Sequence, residues 1–339
     1  VKALVTGANG FLGRHLVAAL RERGHGVRAL VRPAARLDDL GWPPSVEVVR
    51  ADLRSTRSLE PAFDGVDVLV HAAAAVSGGD DAMFASTVVG TERLLGAMAR
   101  TSCRRVVLIS SFAVYDWSEI EGTLDESSPL EPVPQLYERD GYSIAKSWQE
   151  RVTRRMAAEH GWELVVVRPG FIWGKDHAYV SALGQRVGRV HLVIGPTLRV
   201  PLTHVENCAD LCALAAADPR ATGFTLNVVD REGERVWPFL GEYLRGSGEP
   251  GLRIPVPYPL AWHAVRLAKA TLFRKSRKLP HFLVPCRFES RLKPLRYACR
   301  TARERLGWQP PLTLTECLAR TFEGPPAGQG GPPHVGVSR

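Results

Sequence analysis

The 339-residue chain is 45% hydrophobic and 23% charged, ordinary values for a globular protein that argue against a disordered one. Its 44 lysines and arginines exceed its 35 aspartates and glutamates, giving a formal net charge of +9. That excess points to anionic company: a phosphate-bearing cofactor, an acidic substrate or a membrane surface. No basic motif interleaved with aromatics occurs, so no nucleic-acid partner is expected. No apolar run reaches the ~20 residues that span a bilayer. The chain starts on an apolar strand with no targeting segment before it, so a cytoplasmic protein is expected. Six scattered cysteines form no CxxC pair. Cys208 and Cys212 stand one helical turn apart without a matching His/Cys pair, so buried free thiols are expected and no metal site.

In chain order, apolar runs at Val1–Val5, Val27–Val31, Val46–Val49, Val66–Val70, Val106–Ile109 and Leu164–Val167 predict six strands. Between them, helical spacing is found at Leu12–Arg23, Leu59–Phe63, Met83–Thr101 and Tyr142–His160. Continuous β-branched runs alternating with amphipathic helices predict an α/β fold, a doubly wound parallel (Rossmann) sheet with its ligand site at the carboxyl ends of the strands. Residues 1–168 are assigned to this domain, continued by parts of 203–230, where Val205–Ala217 predicts a helix and Phe224–Val229 a strand. Residues 169–323 are more irregular, as expected of a smaller C-terminal substrate-binding lobe. The Gly- and Pro-rich 324–339 is read as a disordered tail.

The first strand turns into the first helix through Thr6-Gly7-Ala8-Asn9-Gly10-Phe11-Leu12-Gly13. Such a turn lets the backbone approach a pyrophosphate, with the N–H groups and dipole of the helix behind it. A carboxylate usually ends the second strand of an NAD site and binds the ribose 2′-hydroxyl. Here Val31-Arg32-Pro33 stands in that place, with no acid before Asp38. Arg32 first and Arg36 second are the candidate 2′-phosphate ligands, so the expected cofactor is NADP(H) rather than NAD. Arg28 is expected on another face, in solvent. Asp52 and Leu53 are placed at the adenine edge.

Tyr142 and Lys146 stand at i and i+4 on one helical face. A phenol with an ordinary pKa of about 10 is a poor base at neutral pH, and a neighbouring ammonium favours the phenolate. Ser110 and Ser111 end the fifth strand, where one hydroxyl can hydrogen-bond a substrate oxygen as charge develops.

With these motifs in order, the chain resembles the extended short-chain dehydrogenases/reductases, the NAD(P)-dependent epimerase/dehydratase family, nearest to the branch of 3β-hydroxysteroid dehydrogenases and dihydroflavonol reductases. The matching segments are TGANGFLG (Thr6–Gly13), ADL (Ala51–Leu53), HAAA (His71–Ala74), VGTERLL (Val89–Leu95), SSFAVY (Ser110–Tyr115), YSIAK (Tyr142–Lys146), RPGFIWG (Arg168–Gly174), THVENCAD (Thr203–Asp210) and RLGWQPP (Arg305–Pro311). The resemblance implies Ser111 as the carbonyl-polarising serine and Tyr142 with Lys146 as the acid/base pair. It further implies that His71, Ala72, Ala73 and Ala74 line the dinucleotide pocket, and that Pro169, Gly170 and Ile172 present backbone to the carboxamide. The sequence departs from the family at Thr87, where Asn is frequent, and at Asp116, where Gly usually follows the tyrosine.

Dehydratases of the group carry an Asp-Glu pair where Phe112 and Ala113 stand, which excludes their elimination chemistry. The Val200–Val205 run looks closer to hydroxysteroid dehydrogenases and ketoreductases than to sugar-nucleotide epimerases. The expected activity is therefore NADP(H)-dependent reduction of a ketone, or oxidation of the matching secondary alcohol, with a small-molecule carbonyl or alcohol substrate. The alternatives are a sugar-nucleotide epimerase and a non-catalytic NADP-sensing regulator. A homodimer is expected from the family, and the basic amphipathic 262–278 segment is a candidate contact for a membrane surface or an anionic carrier.

Overall fold

The computed structural model describes residues 1–55, 57–132, 140–177, 181–248, 251–271 and 285–323. The first half contains strands β1 (Lys2–Thr6), β2 (Gly26–Val31), β3 (Val46–Arg50), β4 (Val68–His71), β5 (Arg105–Ile109), β6 (Thr123–Leu124) and β7 (Glu163–Pro169). Its helices are α1 (Phe11–Glu22), α2 (Asp80–Phe84), α3 (Gly90–Met98) and α4 (Gly141–His160). Then follow strands β8 (Phe171–Trp173), β9 (Gln185–Val187), β10 (Val190–Ile194), β11 (Arg199–Val200), β12 (Leu202–His204), β13 (Thr225–Val228), β14 (Glu234–Arg235), β15 (Leu252–Val256) and β16 (Arg296–Tyr297). Among them run α5 (Val205–Ala217), α6 (Val236–Gly246), α7 (Tyr258–Thr271), α8 (Pro285–Leu292), α9 (Arg300–Leu306) and α10 (Leu314–Phe322).

Seven strands form one parallel sheet in the order β13-β7-β5-β4-β1-β2-β3. The order reverses at β1, and the crevice there opens at the strands' carboxyl ends. Both faces are covered. Val5, Val70, Val107 and Val167 meet α1, α5 and α9 on one side, while Leu4, Leu69 and Val106 meet α3 and the end of α4 on the other. Alternate residues of each strand thus bury into different cores, which is why the strands read as unbroken apolar runs rather than as alternating ones.

The helix expected over Met83–Thr101 is continuous but contains a π-helical segment at Ala85–Val89, between α2 and α3. The predicted turn of helix at Leu59–Phe63 is a 3-10 turn over Glu60–Phe63. Arg28 is not solvated as expected. Its guanidinium pairs with Glu47 and donates to the carbonyls of Ala62 and Asp64, tying β2 to β3 and to the loop before β4.

The second core packs Trp173, Leu183, Val193 and Leu202 against Phe239, Leu240 and Tyr243 of α6 and Cys317 of α10. A three-stranded sheet, β15-β10-β9, lies at its edge. Cys103, Cys208, Cys212, Cys299 and Cys317 are buried free thiols. Residues 272–278 of the basic segment and the 324–339 tail lie outside the described residues; 262–271 belong to α7.

Candidate active site

A cavity of about 1280 Å³ follows the carboxyl edge of the sheet. Arg32, Asp52, Leu53 and Arg54 line one end, Gly7 and Asn9–Gly13 the middle, and Ser111, Tyr142 and Lys146 the other. Phe171, Pro201, Ser290 and Arg291 close it from the second half of the chain. The glycine turn is built for close approach. Gly7 holds φ at +67°, and a Cβ on Gly13 would stand 2.0 Å from the Gly7 carbonyl oxygen. Helix α1 starts with no side-chain cap and no acid in its first turn, leaving its N–H groups and positive dipole end to the cavity. These features fit the diphosphate of a dinucleotide.

At the opposite end, Asp140 caps α4 by accepting from the Ser143 N–H at 2.7 Å, which starts the helix where Tyr142 faces the cavity. Ser111 and Tyr142 both line this end, and Ser111 Oγ accepts from the Ala113 N–H at 3.1 Å. Burial pushes the Tyr142 phenol up, and the neighbouring Ser111 hydroxyl pulls against it. Ser110 is a different case: it also lines the cavity, but it is buried and its hydroxyl is committed to Glu150, to which it donates at 2.6 Å, which leaves Ser111 as the strand-end serine for a substrate oxygen.

Lys146 does not contact the phenol. Its Nζ donates to the Ile109 carbonyl and to Gln149 Oε1, both at 2.7 Å, and burial lowers its pKa to about 7 against the opposing charge of Glu150. The direction of the network behind it follows from its partners. Thr6 Oγ1 accepts from the Ala73 N–H, so its own proton goes to His71 Nδ1 at 2.7 Å. Thr91 donates to the Thr87 carbonyl, so Thr91 Oγ1 accepts, from His71 Nε2 and from Gln149 Nε2. With Gln149 Nε2 also donating to the Ala73 carbonyl, the amide oxygen must face Lys146. Burial, with the Lys146 charge adding to it, drops the His71 pKa to about 3 and keeps the ring neutral.

Of the residues singled out in the sequence, Gly7, Asn9, Gly10, Phe11, Leu12, Gly13, Arg32, Asp52, Leu53, Ala72, Ala73, Ala74, Ser111, Tyr142, Lys146, Pro169, Gly170 and Ile172 line this one cavity. Two do not. His71 is buried one layer behind Ala72–Ala74, because β4 turns its side chain into the sheet–helix contact. Arg36 is exposed beyond the turn that closes β2 and is not on the lining. Sequence reasoning missed Arg54, which pairs with Asp52 at 2.9 Å, and the lining residues Met83, Ser86, His177, Ser290 and Arg291. It also missed Gln149 and Glu150. Glu150 had a readable signal: a carboxylate four residues beyond Lys146 on the same helical face. Both departures from the family pattern shape the site. Thr87 accepts from the Ala75 N–H at 3.0 Å, and Asp116 accepts from the Ser118 N–H and hydroxyl.

The sequence profile of the NAD dependent epimerase/dehydratase family matches residues 3–228. The chain belongs to this family. A farnesylated dihydroquinoline-oxide ketoreductase of Stigmatella aurantiaca ("4-hydroxy-2-methyl-3-oxo-4-farnesyl-3,4-dihydroquinoline-1-oxide ketoreductase") is 32% identical over 98% of this chain and 99% of its own length. A 3 beta-hydroxysteroid dehydrogenase/Delta 5-->4-isomerase of Mycobacterium tuberculosis is 29% identical over 94% of this chain and 89% of its own. The fold of this family member is also that of a short-chain dehydrogenase/reductase superfamily protein from Agrobacterium tumefaciens, solved with bound NAD (TM-score 0.70, 22% identity, 96% and 97% of the two chains). A Thermotoga maritima UDP-glucose 4-epimerase superposes with a TM-score of 0.71 at 19% identity, covering 96% and 98%. The chain is thus an extended short-chain dehydrogenase/reductase of an NAD(P)-dependent family, with dehydrogenases and reductases among its full-length relatives.

Proposed function

We propose that the protein is a cytoplasmic NADP(H)-dependent ketoreductase acting on a ketone carried by a large apolar body. The carrying observation is the placement of Ser111 and Tyr142 together at the end of a cavity that Val76, Met83, Phe112, Ala113, Trp117, Phe171 and Pro201 also line. The full-length ketoreductase relative, named for a farnesylated ring ketone, supports the same substrate class.

A nicotinamide held between the glycine turn and Tyr142 would supply the hydride. The protein's own groups handle the oxygen: the Ser111 hydroxyl hydrogen-bonds it as charge develops, and the Tyr142 phenol delivers its proton to it. Lys146 brings positive charge into the same wall and favours the phenolate left behind. At the far end Arg32 takes the 2′-phosphate. The position that would carry a carboxylate in an NAD site is occupied by a guanidinium exposed to the cavity.

The reading is tested by NADPH oxidation with a panel of prenylated cyclic ketones, 3-ketosteroids and keto-sugars. Consumption is expected with the first two classes; turnover confined to nucleotide sugars would replace this proposal with an epimerase. Arg32→Asp is expected to weaken NADPH binding about 10- to 100-fold, the worth of a charge-assisted hydrogen-bonded pair, with NADH little affected. Equal loss for both cofactors would remove Arg32 from the 2′-phosphate site. The protein is further read as a homodimer through the helices over Met83–Thr101 and Tyr142–His160, supported by the exposed Val89 and Trp148 there. Sedimentation at micromolar concentration should give twice the chain mass, and a monomer would overturn this.

A further inference from the structure

The formal charge of this chain is unevenly spread. Residues 181–204 hold Arg186, Arg189 and Arg199, and residues 251–271 hold Arg253, Arg266 and Lys269; neither stretch contains an aspartate or glutamate. Folding brings the two together, because β15 pairs with β10 in parallel and β10 pairs with β9.

The same surface is apolar. In the sheet register Leu252 lies beside Val190 and Val190 beside Val187, while Ile254 lies beside Leu192. Neighbours in register point to one face. The opposite face buries His191 and Val193 against the protein, and Arg186 and Arg253, in register with His191, belong to that face, while Arg199 lies in β11; the cations left for the outward side are Arg189, Arg266 and Lys269. At one end of the outward face Ile194 packs against Val265, Phe288 and Leu292, so α7 and α8 cover that end alone. The rest is open: Val187 is 66% exposed and Leu252 63%. Helix α7 continues the pattern, with Leu260 and Leu267 63% and 64% exposed and Arg266 exposed beside them. Large apolar side chains set beside Arg189 and Arg266, in two stretches without an acid, are not the signature of an ordinary solvated face.

We propose that the face formed by β9, β10, β15 and α7 docks on the surface of an anionic phospholipid bilayer, with Val187, Leu252, Ile254, Leu260 and Leu267 entering the interface and Arg189 and Arg266 meeting lipid phosphates. Charge complementarity selects this occupant. A twofold contact between copies of the chain would set the same cationic residues against each other, whereas an acidic leaflet attracts each of them. Among the described residues no helix is long and apolar enough to cross a membrane, so the contact is peripheral. Docking itself needs only the charge and exposure of this face; its use rests on the ketoreductase reading. Helix α8 packs under α7 through Phe288, whose ring stacks on Trp262 and tilts toward Tyr258, and the same helix places Ser290 and Arg291 on the reaction cavity. A docked protein therefore holds its cavity mouth near the lipid phase where an apolar ketone partitions.

The test is co-sedimentation of the full chain with vesicles of phosphatidylcholine alone and of phosphatidylcholine with 30 mol% phosphatidylglycerol. Binding to the anionic vesicles is expected, at least tenfold stronger than to the neutral ones at about 0.15 M salt, and weakened at high ionic strength. Arg189→Gln/Arg266→Gln is expected to cut that binding about tenfold, and Leu260→Gln/Leu267→Gln to leave only weak, fully salt-reversible adsorption. All four positions are exposed and off the cavity lining, so circular dichroism and turnover of a water-soluble ketone should be unchanged. Equal partition onto the two vesicles, no partition onto either, or insensitivity to both double variants overturns the proposal, as does a dimer that protects this face from hydrogen exchange. Vesicle binding without any NADPH oxidation would instead overturn the ketoreductase reading and leave docking standing.

Discussion

Tyr142→Phe is expected to lower kcat by about 10²–10⁴-fold, the usual worth of a positioned acid or base, while the dissociation constant for NADPH stays within about twofold. The phenol stands on the catalytic wall with a proton to give, beside the strand-end serine. Removing its oxygen takes away the proton donor without opening the glycine cradle that holds the cofactor. Ser111→Ala should follow in the same direction, with a smaller loss if Tyr142 alone still reaches the substrate oxygen. Lys146→Met should differ in kind. It removes a buried charge anchored on the Ile109 carbonyl and Gln149, from a side chain that lines the catalytic end of the cavity where the nicotinamide would lie, so turnover and NADPH affinity should fall together. The measurements are steady-state rates with the best ketone of the panel and fluorescence titration of NADPH. A Tyr142→Phe enzyme with unreduced kcat would take the phenol out of the mechanism, and full NADPH affinity in Lys146→Met would take the lysine out of the cofactor site.

The nucleotide half of this arrangement was legible because its signals are local. Parallel strands buried on both faces must be apolar through their centres, so β1, β4, β5 and β7 read as unbroken runs, while Arg28 interrupts β2 and Glu47 the edge strand β3. The glycine turn carries its reason in its spacing, since Gly13 leaves no room for a Cβ against Gly7. The second half was not legible in the same way. Strands β9, β10 and β15 are three to five residues long; β9 and β15 bury no residue fully and each carries an arginine, and β10 buries alternate residues only, so neither continuity nor length marks them. The π-helical segment at Ala85–Val89 has no proline or glycine within it to announce it. Spacing also misled once. Positions i and i+4 put Tyr142 and Lys146 on one face of α4, but the lysine's long stem carries Nζ to the end of β5 rather than to the phenol. The acidity of the phenol in the free protein is accordingly governed by burial, which raises its pKa, with Ser111 pulling it down and the Asp140 charge adding to the rise. The layer behind the wall joins residues 60 to 80 positions apart, such as His71 with Thr6 and Gln149 with Ala73, and only the packed sheet brings them together.

Glu150→Ala is expected to be the most destabilising single change in the chain, by about 3–5 kcal/mol, the cost of stranding one member of a buried ion pair. Glu150 lies beneath the catalytic wall. It accepts from Arg168 at 2.5 and 3.1 Å, from Arg154 at 2.9 Å and from the Ser110 hydroxyl at 2.6 Å. The Arg168 and Glu150 side chains are only 3% and 4% exposed, so water cannot replace the lost carboxylate, and the guanidinium would remain charged with only the Tyr115 ring, 4.8 Å away, beside it. Burial works to raise the Glu150 pKa, but Arg168, Arg154 and Ser110 outweigh it and hold the carboxyl below its ordinary value. A carboxylate with a depressed folded-state pKa contributes stability that is present above its unfolded pKa and is lost as the pH falls through the folded one. The acid limb of the stability curve below about pH 4.5 should therefore be shallower in Glu150→Gln than in the parent, a change that mere loosening of packing would not produce. Glu150→Gln, which keeps the shape and two acceptor contacts, should cost less than Glu150→Ala and serve if the latter fails to fold. Urea titration at several pH values measures both effects. If Glu150→Gln had the parent's stability at pH 7 and its full acid dependence, the Arg168–Glu150 pair would not be what fixes the strand-end serines against α4.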